Sequence, residues 1–167
     1  MWEIILGIPL LGMAAILQIG VFGQIRLLNG AVDLIMLNII AWSINDRTRY
    51  SWILMLFGGL LMSYISAMPM NGYMWMYAGI WAMIQFIKKR VWQMPMILML
   101  FATIIGTIII SAGTLGLLYI QNASVDYLAA FQQIVIPSLG MNLLLAIPIY
   151  ALLNDIANSI YPEEESD

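Results

Sequence analysis

The chain has 167 residues, of which 63% are hydrophobic and 9% charged, with a mean hydropathy of +0.93. A soluble domain carries about 25% charged residues, so water is excluded as the solvent for most of this chain and a bilayer is expected instead. Cys and His are absent, which excludes disulfides, thiolate metal sites, cysteine nucleophiles and histidine acid–base chemistry, while the net charge of −3 owes much to "EEESD" at 163–167 and points to no nucleic-acid partner.

Apolar runs fall at 3–22, 27–44, 51–68, 71–87, 93–120 and 129–156. One helical crossing takes about 20 apolar residues. The runs therefore predict an all-α, polytopic membrane protein, a compact bundle of six transmembrane helices. Residues 1–160 form a single domain, and 161–167 an acidic cytoplasmic tail. The first run, "MWEIILGIPLLGMAAILQIGVFG", has no basic leader and no small-residue cleavage site, so it reads as a retained span. "GQIR", "NDRTR", "MPMNG", "KKR" and "QNASVD" separate successive runs. Such short connections predict antiparallel neighbours. The fifth run exceeds a straight crossing, which implies tilt or an extension beyond the lipid. No internal repeat is evident.

Orientation follows from the basic residues. Arg47, Arg49, Lys88, Lys89 and Arg90 occupy the second and fourth connections, and only Arg26 lies on the other side. Cytoplasmic loops retain such residues, so both termini are expected in the cytoplasm. Trp42, Trp52 and Trp92 end runs on the inward side, at the expected headgroup level.

Helices in lipid gain little from apolar burial, so small residues that permit close approach become the packing signal. Gly59, Ser63 and Ala67 share one face of the third run; Thr103, Thr107 and Ser111 form a stripe on the fifth, beside Ala102 and Gly106. These faces read either as packing within the bundle or as a seat for another protein's membrane helix. Asp33 is the ionisable candidate inside a span. It reads as a carboxylate solvated or paired with Arg26 at the headgroups, or as part of a pocket opening outward. Gln18, Asn38, Gln85 and Asn142 are candidate interhelical hydrogen-bonders or cavity-lining groups.

The last run, "IPSLGMNLLLAIPIYALLNDI", carries Pro137, Asn142 and Pro148. Pro137 suits a first helical turn, where its missing N–H is no loss, so the final crossing is expected to begin there. Pro148 should bend it, with Asn142 facing inward to hold the kink. No nucleophile–base pair, paired intramembrane aspartates, phosphate loop or metal-ligand cluster stands out in the spans. Neither an enzyme nor a cofactor is expected.

The run "IVIPSLGMNLLLAIPIYALLNDI" resembles the carboxy-terminal signature of MreD, the rod shape-determining membrane protein family, through Pro137, Asn142, Pro148 and Tyr150. "GAVDLIMLNIIAW" resembles the family's "PDLLLL" opening of the second span, with Asp33 at the acidic position and Val32 in place of the proline. "FGGLLMSYISAMPMNGY" resembles its third-span motif, with Ser63 or Tyr64 where many members have aspartate. The resemblance implies a non-enzymatic scaffold of the bacterial cytoplasmic membrane that regulates peptidoglycan synthesis during cell elongation. It would bind the membrane helix of MreC and, through it, MreB, RodA and the elongation transpeptidase. The family is similar in fold to the substrate-binding S-components of energy-coupling-factor vitamin or metal transporters. That alternative predicts a polar-lined outward pocket near Asp33, Gln18 and Asn142, although the outer loops are short and "MPMNG" is mostly apolar.

Overall fold

A computed structural model of the chain describes residues 2–24, 30–45, 48–66, 71–89, 94–123 and 126–160. Among these every regular element is helical. Helix α1 (Trp2–Leu17) runs into a π turn at Gln18–Phe22; α2 (Leu34–Ile44), α3 (Ser51–Ile65), α4 (Gly72–Lys88) and α5 (Pro95–Ile120) follow. The last rod joins α6 (Tyr127–Ala130), a second π turn at Phe131–Val135, and α7 (Ile136–Ile160). The stretches Ile4–Phe22, Pro95–Ile120 and Leu128–Ser159 are long and apolar enough to cross a membrane. At 1.5 Å per residue, the 26 residues of α5 extend about 39 Å, longer than a hydrocarbon core of about 30 Å.

Helix α2 is the hub. All its residues from Leu34 to Ile44 are buried, and α1, α3, α4, α5 and α7 pack around it. Its 11 residues are too few to cross a bilayer, but a helix enclosed by protein needs no lipid-matched length. The outer surface is apolar as well: Ile16, Trp75 and Leu144 lie at least two-thirds exposed, as expected where lipid replaces water.

The second run departs from expectation at its start. The sequence suggests a span over 27–44, whereas residues 30–33 are non-helical and the helix begins at Leu34. Gly30 explains the path, because a Cβ there would lie 2.8 Å from the Ser138 backbone nitrogen. The segment can thus press flat against α7. Asp33 then caps α2 instead of sitting two turns inside it, with its carboxylate accepting from the Met36 N–H at 2.8 Å.

Two further expectations are corrected. The final rod begins at Tyr127 rather than Pro137. The π turn just before Pro137 widens the backbone where the proline ring would otherwise crowd the preceding turn. Trp42 is 1% exposed in the core, not at a headgroup layer, because α2 is surrounded on every side. Trp52 is exposed. Arg26, Arg47, Ala67, Arg90, Trp92 and the 161–167 tail lie outside the described residues.

Small residues set the close approaches between helices. A Cβ on Gly59 would lie 2.7 Å from the Met74 Cα, so α3 and α4 meet backbone to backbone at that point. The Ser63 Oγ accepts from the Met74 N–H at 3.3 Å. Gly106 faces Met36 and Ile80. Gly59, Ser63 and Gly106 of the small-residue faces thus pack inside the bundle.

Candidate functional site

The entry to α2 gathers polar groups from four other helices. A helix start leaves backbone N–H groups without partners, and here each finds one. The Leu34 and Ile35 N–H groups donate to the Gln18 Oε1 at 2.8 and 3.3 Å. Met36 donates to the Asp33 carboxylate and Leu37 to the Asp33 carbonyl. The preceding segment is held from α7: Ala31 N–H donates to the Ser138 Oγ at 2.8 Å, and Asp33 N–H to the Asn142 Oδ1 at 2.9 Å.

The Asp33 side chain is buried and takes the Tyr77 hydroxyl from α4, which lies 2.7 and 2.8 Å from its two oxygens. Tyr77 is itself buried and meets Tyr73 edge-on, with ring centroids 5.8 Å apart. Asn142 continues the network toward α5. Its Nδ2 donates to the Thr107 Oγ1 at 3.1 Å, Thr107 donates to the Thr103 carbonyl, and Thr103 to the Met99 carbonyl. Thr103 and Thr107 therefore bond back along their own helix, and Thr107 also accepts from Asn142. Satisfied in this way, the network holds a non-helical segment within apolar surroundings.

The far end of α2 is closed from outside too. The Lys88 Nζ donates to the Ser43 and Asn45 carbonyls at 3.2 and 3.0 Å, and the Thr48 hydroxyl donates to the Trp42 and Asn45 carbonyls. A carboxylate at the amino end and an ammonium at the carboxyl end both oppose the helix dipole.

Beside the entry lies a cavity of about 290 Å³. Gln18, Asp33, Thr107, Ser138 and Asn142 line it, together with Tyr73, Ser111 and Thr114. Both π turns border it, through Gln18 on one and Ile134 and Val135 on the other. Bulges of this kind recur where helices are shaped around functional sites. The structure thus brings together Gln18, Asp33, Thr103, Thr107 and Asn142. It leaves Gly59, Ser63 and Gly106 in packing contacts elsewhere, and Pro148 lines a separate groove. Sequence reasoning missed Tyr77, Ser138 and Lys88. For Tyr77, a signal lay in its spacing with Ile80 and Ile84, which puts a phenol on the buried face of α4.

No group of three or more potential metal ligands occurs among the described residues. No family model, curated protein or solved structure matches the chain.

Proposed function

We propose that the chain is a multi-pass protein of the bacterial cytoplasmic membrane, with six spans and both termini cytoplasmic, acting as a scaffold of the MreD type. It takes part in no bond-making chemistry. It holds the membrane helix of MreC and so links MreB, RodA and the elongation transpeptidase during rod-shaped growth. One observation carries the reading. The second-span and last-span stretches that carry the resemblance stand over a hundred residues apart, and they meet through the Asp33–Asn142 and Ala31–Ser138 hydrogen bonds. Chance likeness in two apolar segments would not demand that their polar positions pair. The network's groups are also largely taken up by one another, as suits a frame more than a reaction centre.

The test is co-purification of this chain with its MreC counterpart after gentle detergent extraction. Retention of MreC through two affinity steps is expected. If MreC is lost while an unrelated membrane protein stays bound, the reading fails.

The cavity favours a second reading, an S-component that binds a small molecule on the outer side. Gln18, Asp33 and Asn142 converge there as that alternative requires. Native mass spectrometry separates the two. A discrete small-molecule adduct that Asn142→Leu abolishes supports the transporter component, and a bare protein mass supports the scaffold.

A further inference from the structure

Helices α1 and α7 each pack on α2 but little on each other, and between them runs a surface groove of about 300 Å³. Met13, Ala14 and Leu17 form one wall, and Pro148, Ile149 and Leu152 the other. On each wall the spacing is that of one helix face over about two turns. Asn38 lies on the floor, 7% exposed, and its Oδ1 is buried with no hydrogen-bond partner among the described residues. Buried polar groups are nearly always paired, and an orphaned one costs about 1–3 kcal/mol. The rest of the lining is almost wholly apolar.

We infer that this groove seats a single membrane helix of a partner protein, which brings a polar side chain (Ser, Thr, Asn or Gln) to the Asn38 amide. The inference rests on the proposal that the chain grips a partner's helix, and it names the surface. An acyl chain would fill the groove and still leave the amide unpaired. A helix fills the same rod-shaped space and supplies the missing group. Ala14, with its short side chain, permits the close approach such a pairing needs. A half-turn of the amide about its terminal torsion presents its NH₂ or its oxygen to the incoming side chain. Ser63 and Thr103, by contrast, already bond within the bundle.

A photo-crosslinking amino acid placed at Met13 or at Leu152, both more than half exposed, tests this in intact cell membranes that also contain full-length MreC. Trp75, on α4 away from the groove, is the control position. Groove positions are expected to give an MreC adduct through its membrane helix, and the control none. Asn38→Leu should lower the adduct yield about threefold to tenfold, a range matching one interhelical hydrogen bond in lipid, and Asn38→Gln should restore part of it. Leu17→Trp, at a groove position 42% exposed, should abolish the adduct while the purified protein keeps its elution profile and thermal transition. An Asn38-dependent adduct with a different single-span protein, identified by its peptides, supports the groove and overturns the MreC assignment. Lipid adducts alone, with MreC still co-purifying, overturn the groove and leave the scaffold standing. Equal MreC yields from the control and the groove positions also overturn it.

Discussion

Asn142→Leu is the sharpest probe of the network at the α2 entry. The side chain is 2% exposed, accepts from the Asp33 N–H and donates to Thr107. Leucine keeps much of the volume but orphans a buried backbone donor, at a cost of about 1–3 kcal/mol. It also removes an amide–hydroxyl bond worth roughly 0.6 kcal/mol, the mean found between membrane helices. The expected loss is thus about 1.6–3.6 kcal/mol, which for a chain of this size lowers the transition by about 3–14 °C. Thermal unfolding in detergent, followed by intrinsic tryptophan fluorescence, measures it. A double-mutant cycle with Thr107→Val isolates the side-chain pair and should show coupling near the same 0.6 kcal/mol. An Asn142→Leu protein that unfolds within about 1 °C of the parent would refute the argument, because a buried N–H cannot lose its only acceptor without penalty.

Other substitutions probe other parts. Tyr77→Phe removes the hydroxyl shared by both Asp33 oxygens and should cost about 1–3 kcal/mol in the same melt; the cost should shrink in an Asp33→Leu background, which has no carboxylate left to satisfy. Gly59→Ala should destabilise because its Cβ meets the Met74 backbone, whereas Gly79→Ala, with open space around its Cβ, should stabilise by up to about 1 kcal/mol through helix propensity; comparing the two melts checks both. Lys88→Met should loosen the carboxyl end of α2, seen as faster amide exchange over residues 41–45, and Lys88→Arg should preserve most of the protection.

The chain carries two kinds of information. Membrane character and the six apolar runs follow from composition and spacing, because hydropathy sums over many residues and tolerates local irregularity. The inward direction of Asn142 was legible for a related reason, since an amide on a helix of leucines and isoleucines has few places to go but inward. Where α2 starts was not legible. Leu27 and Leu28 extend the apolar run, yet the helix begins at Leu34 because Gly30 lies flat on α7 and Asp33 takes the cap. Those are tertiary facts carried by residues more than a hundred positions away. Trp42 misled because its place at the end of a run says nothing about how many neighbours enclose that run. The polar network behaved differently again: Gln18, Asp33 and Asn142 could be grouped from their polarity, but Tyr77 and Ser138 looked like ordinary members of their helices until the fold set them opposite Asp33 and Ala31.

A helix whose ends and entry segment are held by Gln18, Ser138, Asn142 and Lys88 cannot be completed by its own stretch of chain. When residues 34–44 leave the ribosome, most of those partners have yet to be made, and the segment is too short to settle across the bilayer unaided. Its ends are therefore complete only once α4 and the C-terminal rod have packed onto it. A chain stopped before Ser138 leaves the Ala31 and Asp33 N–H groups without these acceptors, even with five of its apolar runs already produced.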